Sequence, residues 1–192
     1  KQKLQAQKID SFALDALILL QFSSGFSKEK IIFNPDLILD DKIVQKFNDA
    51  VNERLKRRPI SHIIQQREFF GLNFFVNENV LDPRPDSEIL VETALKFCQK
   101  NNVQKILEVG VGSGCLIISL LKNWPKAYAV ALDLSLKALQ ICQKNSLQND
   151  VATRLELRES NLLTTTSLRS ARKAQNYRTE GERESFGAAI WR

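Results

Sequence analysis

Methionine is absent from all 192 residues, and histidine and cysteine are scarce, with one and three copies. Without an initiator methionine, the chain is expected to be a piece of a longer protein or to have lost its original start. The cysteines, Cys98, Cys115 and Cys142, are far apart and form no Cys-x-x-Cys pair. That spacing argues against a zinc site or a disulfide framework and favours a reducing cytoplasm. Because His62 stands alone, we expect no metal.

Long apolar runs are also missing. No run approaches the roughly 20 residues that span a bilayer, and the best stretch, Ala13 to Phe22, is interrupted by Asp15. No signal-peptide pattern precedes it. A buried helix is therefore predicted there, and no membrane partner.

The net charge of +6 invites a nucleic-acid interpretation. Between Thr164 and Arg192, however, six basic residues face three glutamates, so half of the excess lies in one atypical stretch. Solvated surface is the better interpretation, and nucleic acid is an unlikely partner. This 164–192 tail is Ser/Arg/Glu-rich and has few large apolar residues, so disorder and no strand are expected.

Changes in hydrophobic period divide the rest of the chain. Residues 1–57 read as a small helical bundle, because apolar positions recur at helical spacing after Ser11 and after Asp40. Residues 58–85 read as a β-hairpin linker, with phenylalanine-rich strands around Gly71. Its end, Asp82 to Pro85, is a stiff connector because each proline biases the preceding residue away from helix.

Residues 86–163 begin with a helix and then alternate strand and helix. The predicted strands are Lys105 to Val109, Tyr128 to Leu132 and Arg154 to Arg158, with helices at Cys115 to Lys122 and Leu136 to Leu147. Such alternation implies right-handed βαβ crossovers and a parallel sheet, hence an α/β fold.

The segment Ile106 to Cys115 carries the most specific chemistry. A hydrophobic strand contains Glu108 near its end, a GxGxG turn follows, and a helix opens. Glycine permits a sharp turn and lets a ligand approach the backbone. The helix N-terminus offers N–H groups and a positive dipole end to a carboxylate or phosphate.

Three interpretations of this turn stay open. A dinucleotide fingerprint needs G-x-G-x-x-G/A, and Cys115 stands where the third small residue belongs. Glycines at alternate positions after a strand-end acid are instead typical of S-adenosylmethionine-dependent methyltransferases; a plain tight turn is the third interpretation. Asp133, at the end of the second strand, could accept both ribose hydroxyls. The candidate cofactor-binding residues are Glu108, Gly110, Val111, Gly112, Ser113, Gly114, Asp133, Asn161 and Leu162.

Three motifs resemble one named family. Arg58 to Ile63, Arg67 to Gly71 and Leu81 to Glu88, the last reading LDPRPDSE, resemble the HemK family of release-factor glutamine methyltransferases. The likeness covers about Ile9 to Leu163. It implies an N-terminal helical domain that docks the substrate, a truncated Rossmann-like methyltransferase domain, S-adenosylmethionine as cofactor and a peptide chain release factor as partner.

One family motif is missing. The family holds the glutamine amide with Asn-Pro-Pro-Tyr, whereas the single Asn-Pro of this chain, Asn34-Pro35, is followed by Asp36. No catalytic residue is therefore assigned, and the chain is expected to lack activity alone. An amino methyltransferase acting on nucleic acid and a non-catalytic binding remnant are the alternatives. With later strands missing, Lys105 to Val109 is expected to be an open sheet edge.

Overall fold

A computed structural model describes residues 2–160 and the backbone of residues 188–191. The chain separates into two compact units, Lys1–Gln66 and Arg67–Arg192. Within the described residues, no helix is long and apolar enough to cross a membrane. The same residues contain no cluster of three or more histidine, cysteine or acidic side chains that could hold a metal ion.

The first unit is helical. Its helices are α1 (Gln2–Ala6), α2 (Phe12–Ser24), α3 (Lys28–Phe33), α4 (Asp41–Leu55) and α5 (Ile60–Ile64). Gly25 ends α2 in the left-handed conformation, and the Asp40 side chain caps α4 by accepting from the N–H of Lys42. Helix α5 was not predicted; it follows Pro59, whose fixed φ suits a helix start.

The core of the first unit is small. Its buried apolar side chains are Leu4, Ile9, Ala16, Leu19, Ala50 and Val51. One ion pair is buried beside them: Arg54 Nε donates to Asp15 Oδ2 at 2.7 Å, with the two side chains 17% and 6% exposed. Because such a pair is costly to desolvate, each partner depends on the other for compensation.

The second unit opens with the predicted hairpin. Strands β1 (Arg67–Phe69) and β2 (Leu72–Phe74) pair antiparallel around Gly71. Phe69 and Phe74 are fully buried and meet edge to face, with ring centroids 6.3 Å apart. A 3₁₀ turn, Pro85–Ser87, then leads into α6 (Glu88–Asn101).

The strand–helix alternation is confirmed. The elements are β3 (Lys105–Val109), α7 (Cys115–Asn123), β4 (Tyr128–Asp133), α8 (Leu136–Gln148) and β5 (Leu155–Glu159). Strand β4 pairs in parallel with β3 on one side and β5 on the other. Alternate strand residues, among them Ile106, Ala129 and Ala131, are buried in one core with the inner faces of α6, α7 and α8. The predicted α/β class, a helical bundle followed by a Rossmann-like domain, is confirmed.

The predicted open edge at β3 is wrong. Residues Ala188–Trp191 form a further strand, β6, which pairs in parallel with β3, Ile106 opposite Ala188 and Val109 opposite Trp191. The sheet order is β5-β4-β3-β6. The prediction failed because this short, alanine-rich strand depends on its neighbour for pairing, which local propensity does not report. The predicted disorder of the remaining tail falls outside the described residues.

Candidate functional site

The glycine loop lies at the carboxyl ends of β3 and β4. Gly110, Gly112 and Gly114 have φ of +74°, +54° and +81°, which side chains rarely tolerate. The N–H groups of Gly110 and Val111 both donate to the carbonyl of Leu132, at 2.8 and 3.0 Å. The loop is thus fastened to β4 and continues directly into α7.

Asp133 joins the loop to the end of the second strand. Its Oδ2 atom accepts from the N–H of Gly112 at 2.8 Å, and its Oδ1 atom accepts from the N–H of Ser135 at 2.9 Å. The sequence predicted both oxygens for a ribose, but each already has a backbone partner. A carboxylate oxygen has a second lone pair, so both roles are compatible.

Two exposed residues, Gly110 and Leu134, lie at the ends of the same two strands as this carboxylate. Gly110 is exposed, and no atom of the residues that the structure describes lies within 4 Å of the position that its Cβ would occupy. Leu134, next to Asp133, is 68% exposed although it is apolar. An apolar surface beside a hydrogen-bonding carboxylate suits a nucleoside, with base against the apolar group and sugar against the acid. Leu134 was missed because its exposure is set by the fold.

Three other predicted residues have buried side chains. Glu108 is 1% exposed within β3, and Val111 and Ser113 are fully buried in the loop. Val111 and Ser113 therefore show neither side chain nor backbone at the surface, and their contacts with a cofactor stay predictions. Asn161 and Leu162 lie outside the described residues, and their predicted contacts stay predictions.

Helix α8 packs tightly against the loop. A Cβ at Gly114 would lie 2.6 Å from Cys142 Sγ and 2.7 Å from Cδ1 of Ile118, so only glycine fits there. Burial raises the pKa of the Cys142 thiol, and the nearby anions Glu108 and Asp133 raise that pKa further. Cys142 is therefore an inert packing thiol. No sequence pattern indicates this contact.

Comparisons with known proteins agree with this arrangement. The chain matches the PrmC N-terminal domain over residues 1–64 and the methyltransferase small domain over residues 79–171. The release factor glutamine methyltransferase of Flavobacterium psychrophilum is 39% identical over 166 residues, covering 84% of this chain and 56% of that protein. Its namesake from Caulobacter vibrioides is 32% identical over 157 residues, covering 82% and 54%.

A solved RNA methyltransferase from Salinibacter ruber, in complex with S-adenosyl-L-homocysteine, aligns with 20% identity and a TM-score of 0.35. The alignment covers 45% of this chain and 53% of that one. The chain spans about half the length of the curated relatives it matches.

The parallel sheet, the glycine loop and the matched family model define the second unit as a Rossmann-like domain of the S-adenosylmethionine-dependent methyltransferase class. Within that class, the chain matches the PrmC N-terminal domain and is similar to release factor glutamine methyltransferases over more than four fifths of its length. The resemblance found in the sequence motifs is thereby confirmed.

Proposed function

We propose that this chain binds S-adenosylmethionine, or its demethylated product, at the carboxyl ends of β3 and β4. The hydrogen bond between the Gly112 N–H and Asp133 Oδ2 carries the proposal, because it brings a glycine loop and a strand-end acid into one site. Open space at Gly110 leaves room for the ligand to reach the backbone.

Each group of the site has a matching part of the cofactor. The second lone pairs of the Asp133 carboxylate would accept the ribose hydroxyls. Exposed Leu134 would lie against the adenine face. The first turn of α7, at Cys115, would face the amino-acid carboxylate with its backbone N–H groups and positive dipole end. When bound, the cofactor supplies a methyl group on a positively charged sulfur, open to attack by a nucleophile.

For the whole protein we propose the activity that its relatives' names state, methylation of a glutamine in a release factor, in the cytoplasm. A side-chain amide nitrogen is a poor nucleophile because its lone pair is delocalised into the carbonyl. Catalysis must therefore hold the nitrogen in line with the methyl group by hydrogen bonds. Asn-Pro-Pro-Tyr, which the family uses for this, is absent from these 192 residues. We propose that they do not transfer methyl by themselves.

Calorimetry with S-adenosylhomocysteine, S-adenosylmethionine and NAD tests the binding proposal. Saturable binding of the first two and none of NAD is expected. Tight NAD binding without S-adenosylmethionine binding would overturn it.

A radiolabel assay tests the activity proposal separately. Transfer from labelled S-adenosylmethionine to a release factor should not exceed the no-enzyme control. Transfer above that control would contradict the proposed inactivity. Label appearing in duplex DNA instead would favour the nucleic-acid alternative.

A further inference from the structure

The side chain of Asn145 lies between the hairpin and the glycine loop. It projects from α8, is fully buried, and uses its whole amide. Oδ1 accepts from the N–H of Phe75 at 2.7 Å, and Nδ2 donates to the carbonyls of Phe75 at 2.9 Å and Ser113 at 2.8 Å. Both N–H hydrogens are thus used, one toward each segment.

Toward the hairpin, Asn145 is one of three side-chain amides on α8 that donate to backbone carbonyls. The Asn145 amide both accepts from and donates to the backbone of Phe75, as a neighbouring strand would. Phe75 is the residue that directly follows β2. One turn further along α8, Gln148 and Asn149 both donate to the carbonyl of Asn73, at 3.0 and 3.2 Å. Asn149 therefore shares the hairpin contact but has no hydrogen bond to the loop.

Toward the loop, Asn145 donates to the carbonyl of Ser113, where the backbone is closely packed against α8. Ser113 precedes Gly114, whose φ of +81° and contact with Cys142 fix its place against α8. Cys142 and Asn145 are three residues apart, so the same face of α8 packs against Gly114 and hydrogen-bonds Ser113. The peptide between Ser113 and Gly114 is held from both sides.

We propose that Asn145 is a positioning residue for the cofactor: it fixes the Ser113–Gly114 peptide and couples the loop to the hairpin segment at Phe75. This inference rests on the proposed cofactor binding. The orientation of this peptide sets where the N–H groups at the start of α7 point. A loosened peptide therefore weakens binding while the fold persists.

Asn145→Asp provides an isosteric test, because an oxygen replaces the donor nitrogen and faces two carbonyl oxygens. Asn149→Asp is the matched control, since on the same helix it also replaces a nitrogen that donates to two carbonyls, those of Asn73 and Asn145, and it leaves the loop hydrogen bonds intact. S-adenosylhomocysteine affinity, measured calorimetrically on the full chain, should fall about tenfold or more in Asn145→Asp and by less than about twofold in Asn149→Asp. Equal losses in both variants, or none in Asn145→Asp, would overturn the proposal.

Hydrogen exchange of the Gly112, Ser113 and Gly114 amides gives a readout without ligand. Exchange should accelerate in Asn145→Asp and stay at the wild-type rate in Asn149→Asp; unchanged rates in both would also overturn the proposal. If Asn145→Asp shows no cooperative melting, Asn145→Ala, which adds no repulsion, replaces it in both measurements. If the wild-type chain binds no cofactor, the proposed function fails, whereas exchange still decides whether Asn145 holds the loop.

Discussion

Gly114 and Cys142 are in such close contact that a single added carbon at Gly114 would lie 2.6 Å from the Cys142 sulfur. The start of α7 and the middle of α8 therefore share one packing constraint. That constraint makes Gly114 harder to replace than Gly110, whose Cβ position meets no atom of the described residues within 4 Å.

Gly114→Ala should destabilise the chain both by strain at positive φ and by this clash. Gly71→Ala is the matched control, since Gly71 has φ +70° and no atom of the described part of the chain lies within 4 Å of its Cβ position. Strain alone costs about 1–2 kcal/mol, and overpacking adds about 1–3 kcal/mol at Gly114. Urea unfolding measures the free energy of unfolding of both variants. An equal decrease in both would show that the side chains at the α7–α8 contact move aside without cost.

Asp133→Ala should weaken S-adenosylhomocysteine binding by about 1–3 kcal/mol, the cost of losing hydrogen bonds to a charged acceptor. Part of that loss comes from freeing the N–H of Gly112. Asp150→Ala is the control, because Asp150 is exposed and pairs only with Lys122 among the described residues. Unaltered affinity in Asp133→Ala would remove the acid from the proposed site.

The Cys142 thiol should make stability fall in alkaline solution. Its pKa is raised in the folded chain, so its contribution is complete below the unfolded thiol pKa of about 8.5 and is lost as pH rises above it. The slope for one thiol reaches at most about 1.4 kcal/mol per pH unit. Urea unfolding between pH 7 and 9.5 should show a shallower decline in Cys142→Ala. Parallel curves would contradict the assignment.

Asp15→Ala should destabilise the helical unit by leaving the Arg54 guanidinium without its charge partner. The pair is mostly buried, so the cost is expected to be about 2–4 kcal/mol. Glu53→Ala breaks pairs with Lys56 and Arg58 that are far more exposed, and should change stability much less. Thermal melts of the full chain compare the two variants. A similar decrease in melting temperature would show that burial of the Asp15–Arg54 pair does not add to its effect on stability.

Removing β6 should reopen the edge of β3. A chain shortened to residues 1–187 lacks the partner of Ile106 to Val109 and should self-associate, because unpaired backbone groups recruit other strands. Hydrogen exchange at these amides should be faster than in the full chain. Equal protection in a monodisperse monomer of both lengths would show that β6 is not what covers this edge.

Sequence periodicity located most elements, but the buried face of α6 shows its limit. Ile89, Leu90 and Phe97 are 64%, 45% and 45% exposed, while Val91 and Cys98 are buried. Apolar residues lie on more than one side of this helix, so only packing against α7 decides which side turns inward.

The sequence predicted the two segments of the site, the glycine loop and the strand end at Asp133, but not the hydrogen bonds between them. Motif spacing placed the loop and Asp133 at neighbouring strand ends, because parallel strands end at the same edge. The hydrogen bonds that join them, and the role of Asn145, depend on how α8 and the hairpin pack. Helical spacing from Cys142 places Asn145 on the inner face of α8, but it does not show which backbone groups the amide meets.

The pairing of β3 with β6 also bears on synthesis at the ribosome. Strand β4 follows β3 after one helix, whereas β6 begins at Ala188, far beyond Asp133 at the end of β4. At roughly 5–20 residues per second, translating that interval takes about 3–10 seconds. During this interval β4 is the only strand available to pair with β3 in the described sheet, so the other edge of β3 is unpaired. On a crowded polysome the unpaired β3 edges of neighbouring nascent chains can therefore meet before each chain has made its own β6.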